Sequence, residues 1–277
     1  MKTIIVPTDF SPTAANAMQY AIVLAREMDA EILLMHAFYP AMQLNTGYMI
    51  DPGIEDDRKF QLKQLAESFQ EQVDANPANK VKITSKFIIG FPIEEIVDVS
   101  HQADTVIVMG ATGDSGVMGR LFGSVASNVA KQAACPVYLI PPNAVFGPFR
   151  QMMYASDEPL LDIHMEHLVT PLVEKFGSRL HCVHVGKYER NYKEEDLKGI
   201  FQNLVDKQAI VRKNLDRVDV LSGLNEYAEQ ENIDLLILST RTRSFWNRLV
   251  HVSITREMAL QPKLPILVLH DVDKFSI

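Results

Sequence analysis

The chain has 277 residues, 47% hydrophobic and 22% charged, and its 27 basic against 35 acidic side chains leave a net charge of −8. That length suits two domains of roughly 140 residues, and the balance excludes a disordered, collagen-like or fibrous protein. The acidic surplus argues against a general nucleic-acid binder, which needs a basic footprint to neutralise phosphates.

Ile4-Ile5-Val6 is a short β-branched run that stops at Pro7 and predicts a first strand. Ser11 and Pro12 then signal a helix start, the hydroxyl suiting the N-cap and the proline the first helical position. Ala14, Ala17, Met18, Ala21, Leu24 and Ala25 recur at helical period. Ile32 to Ala37 is a continuous apolar run, the mark of a strand buried on both faces. Tyr39 to Asp57 has no clear period and reads as an insertion or mobile loop. Leu62, Leu65, Phe69 and Val73 mark a second amphipathic helix, and Val81 to Ile89 a third strand ended by Gly90. Pro92 opens a short helix with Ile93, Ile96 and Val97 facing inward. Thr105–Met109 and Pro136–Ile140 are the fourth and fifth strands, with a loop and a helix (Val125, Val129 and Ala133 inward) between them. Such alternation requires right-handed crossovers and a mostly parallel, doubly wound α/β sheet of five strands flanked by helices.

The second half repeats this order. Asp9 stands 27 positions before His36, and Asp157 stands 27 before His184. Val106–Met109 matches Leu235–Leu238, and Pro136–Ile140 matches Pro265–Leu269, both at a shift of 129 residues. The expected organisation is two tandem sheets, residues 1–142 and 151–277, joined by the breaker-rich linker Pro141–Pro148. Pro171 falls inside the first predicted helix of the second half, where it calls for a kink or an early stop.

Cys135 and Cys182 make neither a disulfide framework nor a zinc spacing. No apolar run approaches membrane-spanning length, and Met1–Asp9 holds too short an apolar stretch for a signal peptide. The chain reads as soluble, reduced and cytoplasmic.

The chemistry concentrates in the segment from Gly110 to Ser124, which leaves a buried strand and enters a helix. Ligands of open α/β sheets bind beyond the carboxyl ends of the strands, where this loop must lie. Gly110 and Gly113 let main chain approach a ligand, and Gly123 and Ser124 open a helix whose N–H groups and dipole favour an anion. Ser124 can add a hydrogen bond or cap that helix. There is no GxxxxGK[ST], no GxGxxG after the first strand and no SGGxDS-type loop.

The spacing Gly110-x2-Gly113-x9-Gly123-Ser124 resembles the glycine signature of ATP-binding universal stress proteins. Pro7-Thr8-Asp9, His36-Ala37 and Cys135-Pro136-Val137 resemble that family's marks at the ends of its first and second strands and the start of its last. The resemblance covers residues 1 to about 142 and extends to 151–277 as a diverged copy, as in tandem members. It implies a Rossmann-like, adenine-nucleotide-binding fold, with Pro7, Asp9, Ala37 and Met109 on the base side. It puts Gly110, Gly113, Gly123, Ser124 and Val125 on the ribose–phosphate side. Asp9 suits the uncharged end of such a ligand, since a carboxylate repels phosphate but accepts hydrogen bonds from an amine or hydroxyl.

In the second copy the same shift sets Ser239, Thr242 and Val252 opposite the three glycines and keeps only Ser253, opposite Ser124. One ATP per chain is therefore expected. Thr240–Arg243 with Arg248 reads as a solvated basic loop or a site for another anion, and Asp114 as a solvated acid or a ligand for Mg²⁺ on the triphosphate. Arg120 reads as a phosphate contact or a salt bridge, His164 and His167 as surface histidines or a metal pair, and Cys135 as a buried small hydrophobe. His36 and His184 end core strands and suit packing or backbone hydrogen bonding. The loop offers no histidine or glutamate to activate water, so any ATP hydrolysis is expected to be slow. The leading expectation is an ATP-binding stress-response regulator with a protein partner not named by the sequence, either as an internal pseudo-dimer or also as a homodimer. The alternatives are a nucleotide-free interaction module, its halves paired through Val137–Ile140 and Ile266–Leu269, and an enzyme acting on another adenylated metabolite.

Overall fold

A computed structural model describes residues 2–39, 52–76, 80–112, 123–156, 163–185, 202–215, 220–240 and 264–270. The first half runs β1 (Lys2–Pro7), α1 (Pro12–Met28), β2 (Ala30–Phe38), α2 (Pro52–Asp74), β3 (Ile83–Ile89), α3 (Pro92–Ser100), β4 (Thr105–Gly110), α4 (Ser124–Gln132) and β5 (Val137–Ile140). The second runs β6 (Gln151–Ser156), α5 (Ile163–Phe176), β7 (Arg179–Val185), α6 (Gln202–Asp206), β8 (Ile210–Leu215), α7 (Val220–Gln230), β9 (Leu235–Ser239) and β10 (Ile266–Leu269).

Local sequence explains the elements that frame the site. Ser11 caps α1, its Oγ accepting the Ala14 N–H at 3.2 Å, and Pro12 occupies the first turn. Asp29 ends the helix in a left-handed conformation (φ 52°), its N–H reaching the Ala25 and Arg26 carbonyls. The α1 stripe Ala14, Ala17, Met18, Ala21, Leu24 and Ala25 is buried, and so are Ile32, Leu34 and Met35 of β2. Small residues on that stripe bring α1 close to the sheet.

The strand order is β3-β2-β1-β4-β5-β10-β9-β6-β7-β8. All pairings within each half are parallel, whereas β5 and β10 pair antiparallel, with Leu139 opposite Ile266, Tyr138 opposite Leu267 and Val137 opposite Val268. The two five-stranded sheets expected from the sequence thus fuse into one ten-stranded sheet, because each half leaves its last strand as an open apolar edge for the other to cover. The duplication extends to single bonds. Ala111 N–H donates to Ile140 O at 2.8 Å, and 129 residues on, Thr240 N–H donates to Leu269 O at 3.0 Å.

The linker is held rather than loose. Asn16 Nδ2 donates to the Pro141 and Ala144 carbonyls, each at 3.0 Å. Aromatic contacts run from Tyr20 to Phe146 (4.9 Å between centroids), on to Phe149 (5.1 Å) and then to Phe176 of α5 (4.9 Å). On the opposite face, His270 Nε2–H donates to Ala130 O of α4 at 2.9 Å.

Two local expectations change. Helix α2 already begins at Pro52, inside the stretch expected to be loop, while residues 40–51 lie outside the described residues. Its first turns carry a polar exposed face supported by a Lys59–Glu55 pair, so no apolar period announces them. In α5 the helix does not stop at Pro171 but runs on to Phe176. Leu168, Val169, Leu172 and Val173 are all buried around it, and their burial offsets the roughly 3 kcal/mol that an internal proline costs.

Candidate functional site

In the first half the strand order reverses between β1 and β4, where successive crossovers diverge and leave a crevice beyond the strand ends. A cavity of about 420 Å³ occupies that place. Its walls come from the ends of β1 (Pro7, Thr8, Asp9), β2 (Met35, His36, Ala37) and β4 (Met109, Gly110, Thr112) and from the start of α4 (Gly123 to Ala126), with Ala14 of α1 and Pro92 and Ile96 of α3 completing them. Of the nine residues singled out in the sequence, Pro7, Asp9, Ala37, Met109, Gly110, Gly123, Ser124 and Val125 converge here, and Gly113 lies outside the described residues. Asp114, Arg120, Asp157, Thr242, Arg243, Arg248, Val252 and Ser253 also lie outside them.

The β1 end is a tight turn. Phe10 adopts φ 66°, and its N–H donates to Thr8 Oγ1 at 3.0 Å. Asp9 is exposed on the cavity wall, with Oδ1 accepting the Ser11 N–H at 3.0 Å. Beside it, His36 Nδ1–H donates to the Thr8 carbonyl at 2.7 Å, the backbone bond expected of this residue. Burial holds the His36 imidazole below its ordinary pKa, with Arg58 adding to the effect and the Thr8 carbonyl and Asp9 opposing it. The imidazole is therefore a neutral, oriented wall near pH 7.

Beyond β4, α4 presents to the crevice a helix start without a side-chain cap. Gly123 is the N-cap (φ −65°, ψ 160°), so Ser124 is the first helical residue and does not cap the helix. The first bond of the ladder joins Ser127 N–H to Gly123 O at 3.0 Å, which leaves the amides of Ser124, Val125 and Ala126 ahead of it. Gly123 N–H donates to Ala111 O at 2.8 Å and so pins together the two ends of the glycine-spaced segment. The crevice therefore has an acidic end at Asp9, apolar walls from Met35, Ile96 and Met109, and an electropositive end at α4.

Gly110 has a second reason to be glycine. A Cβ there would meet Thr13 Cγ2 at 2.9 Å, so this glycine serves the close approach of α1 to β4 as well as lining the crevice. Thr8, Met35, Pro92, Ile96 and Thr112 were not singled out from the sequence as site residues. The helical period sets Ile96 facing inward, but it cannot say whether an inward face meets core or crevice. Elsewhere Cys135 is buried, as expected, and His167 is exposed. Among the described residues no group of three His, Cys, Asp or Glu side chains could hold a metal ion. Among the described residues, too, no helix is long and apolar enough to cross a membrane.

Fold and crevice together define a tandem, doubly wound α/β protein with its described ligand-sized cleft in the first copy. The model of the universal stress protein family matches residues 1–141, and the chain belongs to that family. A universal stress protein of Methanocaldococcus jannaschii is 31% identical over 145 residues, which is 50% of this chain and 81% of that protein. One from Bacillus subtilis is 28% identical over 142 residues, 49% of this chain and 96% of that one. The crystal structure of a universal stress protein from Archaeoglobus fulgidus aligns with 97% of this chain and 96% of its own, at a TM-score of 0.69 and 19% identity. That likeness extends the shared fold through the second half.

Proposed function

We propose that the chain is an ATP-binding regulator holding one nucleotide in residues 1–142, and that residues 151–277 are a diverged copy without a nucleotide site. The observation carrying this reading is the convergence of eight sequence-selected residues on one crevice, polarised in the sense an adenine nucleotide requires. Pro7, Ala37 and Met109 offer apolar and main-chain surface to a base. Asp9 offers an acceptor at the uncharged end, and Gly123, Ser124 and Val125 offer the start of α4 to phosphates. Gly110 completes the ribose–phosphate side, to which the glycine signature also assigns Gly113. Mg²⁺ would enter with the triphosphate, and Asp114 is the loop acid available to it.

Hydrolysis in this reading is at most slow. Among the described cavity residues the titratable ones are Asp9 and His36, at the ends of β1 and β2, and none is on α4. The nucleotide acts by stabilising one conformation over another, which a protein partner then distinguishes.

Small molecules released from protein denatured directly after purification, identified by mass spectrometry, test the reading. An adenine nucleotide is expected; a different adenylated metabolite would favour the enzyme reading, and no nucleotide even after incubation with ATP would favour a pure interaction module. Sustained turnover faster than about one ATP per second, within the usual range for working enzymes, would overturn the regulator role.

A further inference from the structure

The β1–α1 turn contains a residue in a conformation that non-glycine residues rarely adopt. Phe10 has φ 66°, in the left-handed region that glycine enters freely and a Cβ disfavours. Backbone held in such a region persists only where the surroundings over-determine it, and it concentrates at functional sites. Here the restraints are visible. The Phe10 N–H is bonded to Thr8 Oγ1 at 3.0 Å, and the Phe10 ring packs on the His36 ring at 4.5 Å between centroids. His36 in turn is tied to the Thr8 carbonyl at 2.7 Å, and the Arg58 guanidinium lies over the Phe10 ring at 5.6 Å from its centroid. Thr8, His36 and Phe10 thus close a ring of contacts around the turn.

Two functional groups depend on that turn. Asp9, immediately before Phe10, faces the crevice with Oδ1 on the Ser11 N–H at 3.0 Å. Ser11, immediately after, caps α1 through the Ala14 N–H at 3.2 Å, and Ala14 itself lines the crevice. Rotation of Phe10 to an extended conformation would swing Asp9 off the crevice and pull Ser11 from its cap. We infer that Phe10 is a positioning residue of the proposed nucleotide site: its ring, held by contacts with His36 and Arg58, locks the left-handed turn that aims Asp9 at the uncharged end of the ligand. The inference rests on the nucleotide reading above and adds to it the residue that sets the geometry of the base end.

Ring and backbone make opposite demands at this position, and that separates positioning from simple packing. Phe10→Ala removes those ring contacts but keeps a Cβ in the left-handed region, whereas Phe10→Gly removes more side chain yet frees the backbone to hold the turn. Calorimetric titration of the full-length chain with ATP, with thermal midpoints measured alongside, reads the difference. Phe10→Tyr is expected to bind like the natural sequence. Phe10→Ala is expected to bind about tenfold more weakly, the size of a left-handed penalty no longer held in place. Phe10→Gly is expected to recover most of that loss. If Phe10→Ala does not fold, Thr8→Val, which removes the Oγ1 acceptor and keeps the ring, is expected to weaken binding severalfold. Equal affinity of Phe10→Ala and the natural chain, weaker binding by Phe10→Gly than by Phe10→Ala, or unchanged binding by Thr8→Val would overturn the inference. Failure of the natural chain itself to bind ATP would overturn the nucleotide reading and this role with it, an outcome distinct from each of those.

Discussion

A Cβ on Gly110 would lie 2.9 Å from Thr13 Cγ2 and 3.2 Å from the Thr13 carbonyl carbon, so the last residue of β4 and the first turn of α1 touch through the glycine's bare main chain. The Thr13 methyl sits on a β-branched side chain, and main chain of Thr13 and Thr112 stands behind it at 3.2 and 3.3 Å from that Cβ, so relief needs α1 to shift. Gly110→Ala should therefore destabilise the fold by about 1–3 kcal/mol, as overpacking does, read as a lower urea midpoint. An unchanged midpoint would mean that α1 is free to shift. Any loss of ligand binding in this variant is a consequence of displaced α1 and not evidence about direct contact.

Ser124 separates fold from function more cleanly. It is exposed, and the N-cap of α4 is Gly123, so its hydroxyl does not cap the helix. Ser124→Ala should leave stability within about 0.5 kcal/mol, as exposed substitutions do. If the hydroxyl meets phosphate, ATP affinity should fall about tenfold, the value of a hydrogen bond to a charged group. Lost stability with unchanged affinity would reverse the assignment.

Acid should weaken the fold through buried imidazoles. His36 is held below its ordinary pKa chiefly by burial, and burial likewise lowers His181, whose ring bonds Tyr227 Oη at Nδ1 and Gln151 Oε1 at Nε2, both at 2.8 Å. The unfolded chain therefore binds more protons than the folded one between the folded pKa values and about 6.5. The stabilisation is complete above about pH 6.5 and is lost as pH falls through the folded values. Urea midpoints should drop from about pH 7.5 to 5.5, and His36→Gln should flatten part of that slope while His181 keeps the rest. A slope unchanged in His36→Gln would show that His36 does not titrate differently on folding.

Much of this architecture was legible because buried parallel strands write themselves as continuous apolar runs: Ile32 to Ala37 and Thr105 to Met109 fall inside β2 and β4. The start of α1 was legible because Ser11 and Pro12 carry capping chemistry that acts within four residues. The early start of α2 was not, since an exposed polar face has no apolar period. Nor was the run of α5 through Pro171, where burial of Leu172 and Val173 overrides a local preference. At the site, the glycine spacing marked the β4–α4 side of the crevice and Pro7-Thr8-Asp9 with His36-Ala37 the other, but the sequence could not tell that Gly110 answers to Thr13, or that Phe10 takes a positive φ. The first is a contact between β4 and α1, and the second is held by His36 and Arg58, partners that only the folded sheet brings to Phe10.

Calorimetric titration of the full-length chain with ATP bears most directly on the central claim, because it counts sites as well as detecting them. One site per chain is expected, since the second copy sets Ser239, Thr242 and Val252 opposite the glycines of the first. A stoichiometry near two, or no heat at saturating ATP, would contradict a single nucleotide held in the N-terminal crevice.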